Sequence, residues 1–236
     1  MRFYTDSTRV IDMVRLVVAY VRHGKRDTDG FNDGSAGTRP SFLTEAGVQQ
    51  VVGAGNELRK IDDVSHFIAT PLPRTLQTAT IMQAQYLDRG FVPIKIEPAL
   101  IERQVAKELN NGLIPYGMKW VDFRTQQAVS GYPDIEHFSN IKERVQGFVD
   151  RISETATASG LIVAAVHQDV VHAAVAGASN TDELDPRFNP GVNEASFTVI
   201  VYEKPVSGML RAHVEVYNET QLSRHEVEAI SGLLRN

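Results

Sequence analysis

Short runs rich in β-branched residues alternate along the chain with segments whose apolar residues recur at helical spacing. That is the pattern of βαβ units feeding a parallel sheet. The first run, Leu16-Val17-Val18-Ala19-Tyr20-Val21, ends in Arg22-His23-Gly24. A polar stretch from Lys25 to Ser41 follows, punctuated by Gly30, Gly34, Gly37 and Pro40, and it is long enough to be a functional loop. Thr44 stands where an N-cap belongs, and Val48, Val51, Val52 and Leu58 predict a helix behind it. His66-Phe67-Ile68-Ala69 predicts a second strand, which runs into Thr70-Pro71-Leu72-Pro73-Arg74. Leu76, Ala79, Met82 and Leu87 then mark a second helix, with Pro73 in a first turn where its missing N–H costs nothing.

A third strand is expected over Val92 to Ile96, leading into Leu100-Ile101-Glu102. Residues 103–137 are less regular and read as a helical insertion over one end of the sheet, in which Trp120 and its aromatic neighbours form core. Ile141, Val145, Phe148, Val149 and Ile152 return to a helical stripe. Leu161 to Val166 is apolar on both faces, as a central parallel strand should be, and ends in His167. Ser196 to Glu203 and Met209 to Tyr217 predict a hairpin extending the sheet antiparallel. Ser223 with Glu226 makes a capping box and Leu222 with Val227 a hydrophobic staple, so a last helix starts there. No repeat or linker divides the chain. The fold expected is a single α/β domain over 1–236: a three-layer α/β/α arrangement with a mostly parallel central sheet, helices on both faces, an N-terminal extension over 1–13 and a helical insertion at 103–137 near the active site.

Composition narrows the function. The 236 residues, 42% hydrophobic and 22% charged, can bury a substantial core, which excludes wholesale disorder. Lys and Arg total 24 against 29 for Asp and Glu, and a net charge of −5 has the wrong sign for a protein that binds nucleic acid. The absence of cysteine excludes thiol catalysis, disulfides and cysteine-ligated zinc. Leu16 to Val21, the longest apolar run, is far short of the ~20 residues that span a bilayer. Asp6, Arg9 and Asp12 before it give no signal-peptide pattern. A cytoplasmic protein without membrane partners is expected, with a homodimer left open.

In open α/β sheets ligands bind beyond the carboxyl ends of the strands. Three strands deliver Arg22 with His23, Arg74, and His167 to that edge. Alone, each is most simply a solvated polar residue. Together they make a concentrated positive site in an acidic protein, suited to a compact anion such as a phosphate monoester. Screening limits surface fields to ~8 Å at physiological salt, so local charge outweighs the global balance.

Arg22-His23-Gly24 after a strand, Leu43-Thr44-Glu45-Ala46-Gly47 opening a helix, Thr70 to Ala79 around Arg74, and the late Ala165-Val166-His167 together resemble the histidine phosphatase superfamily, the phosphoglycerate mutase-like proteins. The resemblance implies that His23 is the nucleophile, forming a phosphohistidine. It implies that Arg22, Arg74 and His167 hold the three equatorial phosphoryl oxygens. It also implies that Glu102, where the mutase-like branch keeps its acid, protonates the leaving oxygen. No metal and no cofactor is expected.

Asp169 is the rival acid, because another branch places an aspartate directly after the second histidine. Here Gln168 intervenes and should turn Asp169 away, leaving it a helix-start carboxylate. Where many members carry a phosphate-binding Asn, this chain has Asp29, so Lys25, Arg26 or Asn32 would supply the missing donor. Arg103-Gln104-Val105-Ala106 replaces the distinctive mutase sequence after the acid, which favours a phosphatase over a phosphoglycerate-type phosphomutase. Two further readings stand beside these. A metallohydrolase could be built on His167, Asp169, His172 and His23, although helix neighbours five apart do not share a face. A non-catalytic phospholigand-binding module would be expected to have lost the nucleophile or the acid. His66, His137, His213 and His225 have no motif support.

Overall fold

The structure, a computed structural model, describes residues 13–27, 41–103, 136–155, 160–181, 191–205 and 209–235. Nearly all of the expected N-terminal extension and insertion, with Asp29, Asn32 and Trp120, lies outside them. The described chain runs β1 (Met13–Arg22), α1 (Glu45–Leu58), β2 (Val64–Ala69), α2 (Pro73–Ala84), β3 (Ile94–Ile96), α3 (Phe138–Thr155), β4 (Leu161–Val166), α4 (Gln168–Ala178), β5 (Phe197–Pro205), β6 (Arg211–Glu219) and α5 (Arg224–Arg235). The six strands form one sheet in the order β3-β2-β4-β1-β5-β6. The first four in that order are mutually parallel, and β5 and β6 add the expected antiparallel hairpin.

The period-2 pattern of β1 sorts its side chains into two cores. Leu16, Val18 and Tyr20 pack with Ile141, Val145 and Phe148 of α3 and with Val170 and Val171 of α4. Val17, Ala19 and Val21 pack on the other face with Val51 and Leu58 of α1, Met82 of α2 and Ile230 of α5. Three layers follow. β4 is buried along its whole length because both of its faces are covered. At ~1.5–3 kcal/mol for each large apolar side chain fully buried, these two cores dominate the stability of the fold.

Local signals set the element ends. Thr44 Oγ1 accepts from the Gly47 N–H at 3.0 Å, capping α1. Ser223 and Glu226 form the reciprocal box at α5, with Ser223 N donating to Glu226 Oε2 at 2.7 Å and Glu226 N to Ser223 Oγ at 3.3 Å. β1 starts earlier than its apolar run, because Met13 to Arg15 pair with Glu203 to Pro205 and Arg15 Nε meets Glu203 Oε1 at 3.0 Å. β3 is shorter than expected: pairing with β2 covers only Ile94 to Ile96, at the edge of the sheet. No helix among the described residues is long and apolar enough to cross a membrane.

From β1 the chain leaves to α1 on one face of the sheet, and from the adjacent β4 it leaves to α4 on the other. A crevice therefore opens between the carboxyl ends of β1 and β4, the position where open α/β sheets bind ligands.

Candidate active site

His23 and His167 follow the two strands that flank this crevice. The His23 N–H donates to the Val166 carbonyl at 3.0 Å, continuing the β1–β4 ladder by one step, and Arg22 N donates to the Ser196 carbonyl at 3.0 Å. The turn after His23 lies against the start of α1. A Cβ at Gly24 would fall 2.5 Å from the Gly47 carbonyl oxygen, and one at Gly47 would run into the Lys25 backbone. Glycine at both positions lets the His23 loop and the helix touch. Arg74 is the second residue of α2 and His167 stands at the N-terminus of α4, and both are fully buried.

The His23 side chain is 3% exposed, and its Nδ1 lies 2.8 Å from the Gly24 carbonyl oxygen. A carbonyl can only accept, so Nδ1 carries the hydrogen and the Nε2 lone pair is left for chemistry. The His167 ring stands edge-on to that of His23, with centroids 5.4 Å apart. Burial, followed by the charge of Arg74, holds both imidazoles well below their usual pKa, so both are neutral at pH 7. Burial also lowers Arg74, to about 10, which leaves it charged. Arg22 donates through Nη1 to the Val192 carbonyl, while its Nε and the Nη1 of Arg26 have no hydrogen-bond partner among the described residues. Arg26 thus joins Arg22 and Arg74 in the field acting on the two histidines, whereas the Lys25 side chain is exposed.

Glu102 comes to the same place from beyond β3. Its Oε2 lies 3.5 Å from His167 Nδ1, and its Oε1 accepts from the Arg103 N–H at 3.2 Å. Burial raises its pKa, against the pull of Arg74, Arg22 and Arg26. Arg144 of α3 fixes the segment, donating through Nη1 to the carbonyls of Ala99 at 2.5 Å and Ile101 at 2.7 Å. The Arg144 guanidinium is itself gripped by both carboxylate oxygens of Glu136, at 2.7 and 2.9 Å.

Asp169 departs from the sequence expectation. It is not turned away to solvent: it is 6% exposed, and burial together with the charge of Glu102 pushes its pKa up to about 7. Entry into α4 directly after His167 points the first turn back into the crevice, so one intervening residue does not remove the carboxyl from the site. His172 is one turn further on. Burial lowers it to about 4, and its Nε2 has no partner among the described residues. Among those residues no three His, Asp or Glu side chains converge as a metal site.

Residues 18–213, which carry every one of these groups, match the sequence model of the histidine phosphatase superfamily, branch 1. The chain belongs to that superfamily. It is 24% identical over 192 residues to the 2,3-bisphosphoglycerate-dependent phosphoglycerate mutase of Thermoplasma acidophilum, covering 79% of this chain and 88% of that one. Its fold is similar to that of phosphoglycerate mutase from Bacillus anthracis, with a TM-score of 0.69 at 20% identity over 95% of this chain and all of that one. It is also similar to a mycobacterial glucosyl-3-phosphoglycerate phosphatase, with a TM-score of 0.66 at 17% identity, covering 87% of this chain and 99% of that one. The solved structures that share this fold thus include both a mutase and a phosphatase.

Sequence reasoning missed several groups at the site of this superfamily member. Glu194, in the turn before β5, sets its charge against Arg22 and Arg26. Ala195 beside it has φ 53° and donates to the carbonyls of Arg22 and His23, at 3.0 and 3.2 Å, so the turn is fastened to the end of β1 and to His23. Nothing in the pattern of residues 191–196 marks that contact, which exists only once β5 pairs with β1.

Proposed function

We propose that the protein is a phosphatase that hydrolyses a small phosphate monoester through a phosphohistidine on His23. The observation that carries this reading is the hydrogen bond from His23 Nδ1 to the Gly24 carbonyl, which leaves a neutral, buried Nε2 lone pair beside Arg22, Arg74 and His167. Nε2 attacks phosphorus, the P–O ester bond breaks, and the leaving oxygen takes the proton of Glu102, whose acid form burial favours. Water then attacks the phosphohistidine and gives a proton back to the Glu102 carboxylate. The P–N bond breaks and phosphate leaves. Arg22, Arg74 and His167 contact the equatorial oxygens, and Arg26 supplies the donor that Asp29 cannot.

A phosphomutase would use the same first step and return the phosphoryl group to a sugar or glycerate hydroxyl instead of water. Arg103-Gln104-Val105-Ala106 lacks the mutase pattern after the acid, which supports water as the acceptor. Rapid quench with a labelled monoester tests the reading: wild type should yield an acid-labile, base-stable phosphoprotein, and His23→Ala neither label nor turnover. A His23→Ala enzyme with full activity and label would overturn it. Interconversion of 2- and 3-phosphoglycerate faster than phosphate release would make the protein a mutase.

A further inference from the structure

Two buried hydroxyls beside the site have no part in the reaction as written. Thr70 and Thr75 are fully buried together with Arg74 and His167. Thr70 Oγ1 lies 3.0 Å from His167 Nε2 and 2.7 Å from Thr75 Oγ1. Thr75 Oγ1 in turn lies 2.8 Å from the Leu72 carbonyl oxygen and 3.1 Å from that of Thr70. On the opposite side of the imidazole, Arg74 Nη2 is 3.3 Å from His167 Nδ1.

Both ends of this chain of contacts have a fixed polarity. A guanidinium has donors and no acceptor, so His167 Nδ1 must present its lone pair to Arg74, and the ring hydrogen is left on Nε2. A backbone carbonyl has acceptors and no donor, so Thr75 gives its only hydroxyl hydrogen to Leu72 or to the Thr70 carbonyl and can only accept from Thr70. Thr70 therefore spends its own hydrogen on Thr75 and must accept from His167. The two ends agree on one direction: Nε2–H to Thr70, Thr70 to Thr75, Thr75 to a carbonyl. The reverse tautomer would turn an N–H toward the Arg74 guanidinium and leave Thr70 with two acceptors, His167 Nε2 and Thr75 Oγ1, and a single hydrogen to give.

We infer that Thr70, backed by Thr75, is a positioning residue that holds the hydrogen of neutral His167 on Nε2 and so reserves Nδ1 for the phosphoryl site and Glu102. The Nδ1 lone pair also matches the acid 3.5 Å away: a protonated Glu102 Oε2 can face it, whereas a carboxylate would repel it. A substrate oxygen carrying a proton can donate to the same lone pair, and a proton gained at Nδ1 would make His167 a donor to the phosphoryl group. In each case the contact is made by Nδ1 while Nε2 stays on Thr70. The catalytic consequence rests on the phosphatase reading; the tautomer does not.

Nitrogen-15 NMR of the histidine side chains, with His167 assigned by comparison with His167→Asn, reads the tautomer directly in the whole wild-type protein. The expected spectrum has Nε2 protonated and Nδ1 bare. Thr70→Val keeps the shape and removes the acceptor, so it should shift His167 toward the other tautomer. It should also lower kcat/KM roughly 10- to 100-fold, the range for losing a buried hydrogen bond to a group that bears charge in the transition state. Thr70→Ser should restore the wild-type spectrum and activity to within about threefold. A wild-type spectrum with Nδ1 protonated overturns the inference whether or not any variant folds, and so does a Thr70→Val enzyme with unchanged tautomer and rate. If instead the tautomer is as inferred but His23→Ala retains turnover, it is the phosphohistidine reading that fails.

Discussion

Replacing Asp169 by Asn should make the protein more stable at alkaline pH and leave it less affected at acid pH. Asp169 is buried beside Glu102, and these two causes raise its carboxyl from 3.8 to about 7. Its folded pKa thus lies above the unfolded value, so between those two pH values the folded state holds a proton that the unfolded state has lost. Stability contributed by that proton is fully present below pH 4 and is lost as pH rises through 7. The slope is about 1.4 kcal/mol per pH unit and flattens as Asp169 ionises near pH 7, so from pH 5 to pH 8 the wild type should lose close to 3 kcal/mol that an uncharged Asn does not lose. Any fixed cost of seating the amide cancels when the two pH values are compared.

Urea denaturation of wild type and Asp169→Asn at pH 5 and pH 8, read by the tryptophan and by far-UV circular dichroism, measures this directly. The stability difference between variant and wild type should grow by about 3 kcal/mol from the lower pH to the higher. A difference constant to within about 1 kcal/mol would mean that Asp169 ionises freely, and the buried carboxyl pair would have to be abandoned.

Further outcomes follow from the same geometry. Glu102→Gln should slow turnover of an alkyl phosphate by roughly 10²- to 10⁴-fold, the worth of a general acid. It should slow phosphohistidine formation from p-nitrophenyl phosphate much less, since nitrophenolate leaves unaided; burst kinetics on both substrates decides, and the same contrast in Asp169→Asn instead would move the acid role there. Gly47→Ala should destabilise the fold by about 1–3 kcal/mol in thermal melts and lower activity further, because the new methyl displaces the Lys25 backbone and with it the His23 turn. Turnover should persist in excess chelator, because Arg22, Arg26 and Arg74 supply the positive charge; loss on chelation with recovery on zinc or manganese would favour a metallohydrolase.

The sheet and both helical layers were legible because their signals are local. The alternation in Leu16 to Val21, the all-apolar Leu161 to Val166 and the caps at Thr44 and Ser223 each report a residue's relation to near neighbours. Arg22, His23, Arg74 and His167 were legible for the related reason that each lies near a strand end: Arg22 closes β1, His23 and His167 directly follow β1 and β4, Arg74 opens the helix after β2, and strand ends converge at one edge in a parallel sheet. Asp169 does stand in the first turn of a helix, as expected, but it is buried there and not turned away, because burial depends on what packs over the helix end and not on distance from His167 in the sequence. Glu194 and Arg144 act only through pairings made far away in sequence, β5 on β1 and α3 on the segment after β3. No local pattern reports those.

The groups that were hardest to read are those that hold protons, and a common cause connects them. Position at a strand end can be encoded in a motif, but protonation depends on what surrounds a group in three dimensions. His23 is neutral through burial and Arg74, and its tautomer is set by a carbonyl one residue away. His167 is neutral through burial and the same arginine, and its tautomer is set by hydroxyls 97 and 92 residues away in the chain, one acting through the other. Burial raises the pKa of Glu102 despite three nearby arginines, with Asp169 as a second carboxyl that makes full ionisation of the pair unfavourable. On the phosphatase reading, the nucleophile must be neutral and the acid protonated, and the same enclosure favours both states. Burial favours the uncharged form of every group in the crevice, and the arginines, whose ordinary pKa is far higher, are the groups that can bear that burial and still carry charge.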